Sequence, residues 1–378
     1  MTYLVFVHGV ATRAGNEYDR AVSNRDELLR RVLFAGRPLD IISPLWGPLV
    51  PSINEQVYDT SNQQVETFRL GAVDPQALGG LGDAGGDGEH DDVLVSACAL
   101  GKQLPVAAVD AVFAALIEDA AQQDRALKPE ELEAFERAAE HIAKGTSHEV
   151  FAGDITDATL AERLSDDGVS AYSLVDSVRD AVAAVTDRLR NAVSTLGFDA
   201  VRGALAPQVG VFLGDVFAYL KDGETRSNIR SRIAEALVKA HTLARQQNRP
   251  LVLMGHSLGG VILTDMLLNP EEVGLPEDFS VASLITVGSQ PGFFGALNLL
   301  APTGVPVAKR ARPACVQDWM NVFDPIDPFA FRTDMIFHGV SDLRFNSITG
   351  LASAHTAYFS RPQFYARTRK RLQTLGII

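Results

Sequence analysis

The chain has 378 residues, 46% hydrophobic and 21% charged, with a net charge of −13. That length accommodates a large core, and the composition is that of a packed globular protein rather than a disordered one. The acidic balance excludes a nucleic-acid surface as the main business, since neutralising phosphates needs clustered Lys and Arg. Two cysteines, Cys98 and Cys315, allow no disulfide framework and lack metal-ligand spacing, so no metal and no cofactor is expected and a reducing compartment is.

The first residues read MTYLVFVHGV, with no basic leader and no long apolar stretch. No standard secretion signal is expected, and the reading places the chain in the cytoplasm. The most apolar stretches, around Val93 to Leu116 and Val211 to Leu220, are too interrupted or too short to span a bilayer. Tyr3 to Val7 predicts a strand buried on both faces and stopped at His8-Gly9. A helical stretch around Arg20 to Phe34 leads to a second strand in LDIISPLWG, Leu39 to Gly47. This is the start of a βαβ pattern.

The pattern then disappears from Pro48 to about Gly203, far longer than a simple connection. GGLGDAGGDGEHDD, Gly79 to Asp92, reads as a glycine-rich acidic loop. Around it, Val106, Val109, Val112, Phe113, Leu116 and Ile117 share one helical stripe, and KPEELEAFERAAEHIAKG carries proline near its start and glycine at its end. Leu174, Val178, Val182, Val185, Leu189 and Ala192 form a further stripe. Residues 48–203 are therefore read as a helical insertion, a cap or lid over the sheet's C-terminal edge, between core segments 1–47 and 204–378.

The α/β alternation resumes with an amphipathic helix in RSNIRSRIAEALVKAHTLARQQNRP, a strand in LVLMG and a helix in LGGVILTDMLL. Strands follow at Val281 to Val287, Asp318 to Phe323 and about Met335 to Val340, then a last helix from Pro362 to Thr374. The fold class is α/β, a doubly wound, mostly parallel sheet with one large helical excursion.

MGHSLGG, Met254 to Gly260, places Ser257 in a G-x-S-x-G pattern between a predicted strand and helix. Gly255 and Gly259 permit a turn sharp enough to lift the serine above the sheet, with His256 beside it and the Leu258 amide at the helix start aimed at a developing oxyanion. A serine hydroxyl needs a base, and the base needs an orienting acid. Downstream stand His338, inside a predicted strand, and His355, in the small-residue segment LASAHTAY; His355 is the preferred base. NVFDPIDPFAFR offers two carboxylates, Asp324 and Asp327. FVHGV supplies His8 and Gly9 after the first strand, with the Val10 amide as a second oxyanion donor and His8 as a turn-shaping residue.

Together, FVHGV, GHSLGG, a late aspartate and a later histidine resemble the α/β-hydrolase superfamily. GDVFAYLKDGETRSNIRSRIAEAL, NVFDPIDPFAFR and AHTAYF are similar in motif to DDHD-type phospholipases and related lipase-like esterases. The resemblance implies Ser257 as nucleophile, Asp327 as acid and His355 as base, since the family's aspartate before Pro-Val-Ala aligns with Asp327. Position agrees, because Asp324 directly ends a strand and Asp327 lies further into the loop; Asp324 remains the alternative acid. The expected activity is hydrolysis of a carboxylic ester of a lipid or acyl chain through an acyl-enzyme, with peripheral membrane contact through the insertion left open. Acyl transfer or amide hydrolysis by the same residues, or a non-catalytic interaction protein on this fold, are the alternatives.

Overall fold

The computed structural model describes residues 1–51, 97–153, 155, 157–164, 168–191, 212–300, 309–346 and 354–378. In chain order, β1 (Thr2–Val7) leads to α1 (Asn16–Leu28), which widens into a π-helical turn (Leu29–Leu33) before β2 (Leu39–Ile42). The intervening segment contributes α2 (Ala97–Gln103), α3 (Pro105–Gln122), α4 (Pro129–Lys144), α5 (Ser147–Val150), α6 (Asp157–Arg163) and α7 (Gly168–Asn191). A helix over 212–220 precedes α8 (Glu224–Gln246), β3 (Leu251–His256), α9 (Leu258–Leu268), β4 (Ser283–Val287) and α10 (Pro291–Ala296). The chain closes with β5 (Arg310–Ala311), β6 (Trp319–Phe323), β7 (Phe337–His338), β8 (Val340–Arg344) and α11 (Pro362–Thr374).

Among the described residues six strands form one sheet in the order β2-β1-β3-β4-β6-β8, every neighbouring pair parallel. The chain is therefore of the α/β class. β1 reads as an unbroken apolar run because both of its faces are covered: all six of its residues are buried. Leu4 and Phe6 face one core, with Leu29, Val32, Phe113, Phe135 and Phe364. Tyr3, Val5 and Val7 face the other, with Ile229, Ile233, Leu237 and Ile262.

The order reverses between β1 and β3, since the chain runs outward to β2 and then returns to the far side of β1. Such a switch point opens a crevice at the strands' C-terminal ends. The register places Val7 opposite Gly255 and His256 opposite Val287, so the loops leaving β1, β3 and β4 emerge side by side.

The described helices of the insertion share the first of these cores. Phe135 of α4 meets Tyr365 of α11 edge to face at 5.4 Å, and the buried Asp110 of α3 accepts the Gln363 amide at 3.0 Å. α3 thus packs on the chain just after His355. Pro129 opens α4 and Gly145, at φ 75°, ends it, as the proline and glycine in KPEELEAFERAAEHIAKG predict. The acidic loop Gly79 to Asp92 lies outside the described residues, as does Ala192.

Two expectations need adjustment. The strand predicted over Met335 to Val340 is broken at Gly339, whose φ of 74° turns the chain; Phe337–His338 pairs with β5, and the sheet strand is Val340–Arg344. The second strand is also shorter than LDIISPLWG, ending at Ile42 so that Trp46 and Gly47 can pack on the first loop. No helix among the described residues is long and apolar enough to cross a membrane.

Candidate functional site

Ser257 sits between β3 and α9 with φ 52° and ψ −128°, a region costly for a residue with a side chain. Its neighbours hold it there. The Ser257 amide donates to the Val287 carbonyl at 3.0 Å, and its own carbonyl accepts from Ser289 Oγ at 2.6 Å and from the Gly260 amide at 3.0 Å. Glycine is required around it for steric reasons. A Cβ on Gly255 would lie 2.5 Å from the Gly260 Cα, one on Gly259 would lie 2.2 Å from the Val7 carbonyl, and one on Gly9 would lie 2.7 Å from Ser257 Cβ.

The structure brings three predicted side chains into one line. Ser257 Oγ donates to His355 Nε2 at 2.8 Å, and His355 Nδ1–H donates to Asp327 Oδ2 at 2.9 Å and Oδ1 at 3.0 Å. Ser257 and Asp327 are almost fully buried, whereas 14% of the His355 side chain is exposed, so the histidine is the member of the three that solvent reaches. His338 stands on β7 with an exposed side chain, away from this line.

The two carboxylates of NVFDPIDPFAFR differ in what they hold. Asp327 Oδ1 accepts from the Phe329 amide at 2.9 Å while the carboxylate faces His355. Asp324 Oδ1 accepts from the Ile326 amide at 3.1 Å, closing an Asx turn whose backbone is tied by the Asp327 amide to the Asp324 carbonyl at 3.0 Å. Asp324 therefore shapes the turn that presents Asp327.

His256 and His8 are both neutral and both spent on architecture. His256 Nε2–H donates to the His355 carbonyl at 2.9 Å, and its ring lies among those of His355, Tyr358 and Phe359. Burial, with the His355 ring close by, pushes the His256 imidazole down to about 3. His8 stacks on Trp46 at 4.8 Å, accepts the Trp46 amide at Nε2 (3.1 Å) and donates from Nδ1 to the Gly9 carbonyl (2.8 Å). Burial lowers it to about 4. These bonds fix the loop that carries Gly9 against Ser257. Leu258 is the first residue of α9, where an amide has no partner from the preceding turn.

Several residues escape the sequence reading. Tyr358 donates to Asp327 Oδ2 at 2.9 Å and accepts the Asp324 amide at 2.9 Å. Its phenol is raised well above the usual range, by burial first and by the charge of Asp327 second, so it stays a neutral donor. Ser289 braces the turn that carries Ser257. Phe329 lies edge-on to the His355 ring at 5.1 Å, and Phe212 packs on Phe329 at 4.4 Å, so two aromatic rings stand beside the histidine. Tyr358 and Phe329 fall within AHTAYF and NVFDPIDPFAFR and Phe212 within the apolar stretch Val211 to Leu220, whereas Ser289 lies in none of the segments singled out from the sequence. No grouping of three or more His, Cys, Asp or Glu side chains able to hold a metal occurs among the described residues.

No known family and no curated protein matches the chain.

Proposed function

We propose that the chain is a serine hydrolase of the α/β-hydrolase type that cleaves a carboxylic ester through an acyl-enzyme. The observation that carries this reading is the continuous chain of hydrogen bonds from Ser257 Oγ through His355 to Asp327. A serine alone is a poor nucleophile; one hydrogen-bonded to an imidazole nitrogen has a base in place.

In the proposed sequence, Ser257 Oγ attacks the ester carbonyl as His355 Nε2 takes its proton. Asp327 holds the imidazole in the Nδ1–H tautomer and stabilises the imidazolium. The carbonyl oxygen, now carrying the negative charge, rests on the amides of Val10 and Leu258; each such donor is worth about 2.7–4 kcal/mol in the transition state. The carbon–oxygen bond to the alcohol breaks, and His355 returns the proton to the leaving oxygen. Water, deprotonated by His355, then attacks the acyl-enzyme and frees the acid and Ser257.

The aromatic pair Phe329 and Phe212 favours an apolar group beside His355, since burying apolar surface contributes about 25 cal/mol per Å². This supports esters of acyl chains or lipids as the substrate class. A panel of 4-nitrophenyl esters of increasing chain length, run beside phospholipid and lysophospholipid substrates on wild type and Ser257→Ala, tests it. Hydrolysis that rises with chain length and vanishes in the variant supports the proposal. No ester hydrolysis above the variant's background by the wild type contradicts it.

A further inference from the structure

The helix over 212–220 reaches the site through Phe212, which packs on Phe329, and it carries a carboxylate that the reaction sequence above does not use. Asp215 is 1% exposed. Its Oδ2 accepts the Ala11 amide at 2.8 Å and Arg13 Nη1 at 3.4 Å, and its Oδ1 accepts Arg13 Nη2 at 2.9 Å. One buried carboxylate thus grips the backbone and a side chain of the loop that begins at His8-Gly9-Val10.

The backbone it grips is strained. Ala11 has φ 59°, a left-handed conformation that an alanine rarely adopts unless its surroundings impose it. The peptide between Val10 and Ala11 is the one whose N–H Asp215 holds, so the carboxylate fixes the rotation of the plane immediately after the Val10 amide. The loop is pinned at its other points as well: His8 is stacked on Trp46, and Thr12 fits only because Gly47 has no Cβ, which would fall on the Thr12 carbonyl. Asp215 supplies the contact between those two anchors. The helix that presents it is itself held, because Tyr219 OH, one turn on, donates to Asp265 Oδ2 at 2.6 Å on α9, the helix that starts at the proposed nucleophile turn.

We infer that Asp215 is a positioning residue for the oxyanion site, holding the Val10 amide toward the position that the charged oxygen would occupy above Ser257. The inference rests on the serine hydrolase reading. Its physical content is preorganisation: a donor held in place before reaction stabilises the transition state without reorganising, while one free to swing does not. A misplacement of about 1 Å in such a group costs up to about 100-fold in rate.

The test compares Asp215→Ala and Asp215→Asn with wild type, using 4-nitrophenyl butyrate as substrate and an alkyl trifluoromethyl ketone as probe, because the ketone's adduct with Ser257 carries an oxyanion. Asp215→Ala is expected to lose up to about 100-fold in kcat with little change in KM, and to lose ketone affinity by the same factor. The pH profile of the remaining activity keeps its position, since His355 and Asp327 are untouched. Asp215→Asn keeps an oxygen for the Ala11 amide and regains most of the turnover and ketone affinity. If the alanine variant does not fold, the isosteric Asp215→Leu reads the same quantities. Wild-type kcat and ketone affinity in a folded Ala or Leu variant would overturn the inference while leaving the hydrolase reading intact. A wild type that neither hydrolyses the ester nor binds the ketone would overturn both.

Discussion

Tyr358 OH donates to Asp327 Oδ2 at 2.9 Å and in the same position accepts the amide of Asp324, so one phenol joins both carboxylate-bearing residues of NVFDPIDPFAFR to the segment that carries His355. His355 and Asp327 are thereby aligned by a residue three positions after the histidine. Tyr358→Phe should keep the ring in its site against Phe345 and remove the bridge. A buried amide left without a partner costs about 1–3 kcal/mol, and kcat should fall while Ser257 remains reactive. Thermal denaturation and steady-state kinetics on the same preparation check both parts.

The division of labour between the aspartates gives a sharper expectation. Asp327→Asn should reduce kcat by about 10⁴, because an amide at this position no longer selects the productive tautomer of His355. Asp324→Asn keeps an oxygen for the Ile326 amide and should retain most of the activity. Turnover of an aryl ester by the two variants separates the roles; equal losses would mean that Asp324 takes part in the chemistry.

Gly9 lies close enough over Ser257 that its substitution should act on the reaction more than on the fold. A Cβ there would stand 2.7 Å from Ser257 Cβ and 3.2 Å from the His256 carbonyl. Gly9→Ala should push the loop after β1 away from Ser257 and, on the proposed reaction, lower kcat by about tenfold or more, with KM little changed. Kinetics beside a denaturation curve distinguish this from overpacking, whose cost of about 1–3 kcal/mol appears as lost stability.

The two neutral histidines set a pH dependence of stability. Burial holds His8 at about 4 and His256 at about 3 in the folded chain, against 6.5 when unfolded. Between those values the unfolded chain binds protons that the folded chain does not, so stability rises with pH there. Their contribution is complete above about pH 6.5 and falls as the pH drops toward 4, by up to about 1.4 kcal/mol per pH unit for each histidine. Urea denaturation at a series of pH values should show this slope, and His8→Asn, which cannot take up a proton, should flatten it by about one proton's share.

The sites of Ser257, His355 and Asp327 are legible in the sequence because local rules govern them. Gly255 and Gly259 mark a turn too tight for a Cβ, a strand and a helix flank it, and α9 and α11 begin and end where apolar spacing, Pro362 and the turn residues place them. Tyr358, Ser289 and Asp215 are not legible in this way. Each acts on a partner 31 to 204 residues distant through a contact that only the folded sheet creates. A tyrosine, a serine or an aspartate in an apolar segment has no pattern that reveals such a partner. Gly339 misleads for the opposite reason: a single left-handed residue breaks an apolar run that otherwise reads as one strand. The insertion's helices are visible as stripes, but their packing on α11 depends on Phe135, Tyr365 and Asp110 meeting across the chain.

The central claim is that Ser257 is an activated nucleophile, and it is tested most directly by treating the native protein with a fluorophosphonate and locating the adduct by peptide mass spectrometry. The account predicts one stoichiometric adduct on Ser257, lost on heat denaturation and much slowed in His355→Ala. No adduct in the native protein, or one whose rate is indifferent to His355, would contradict it.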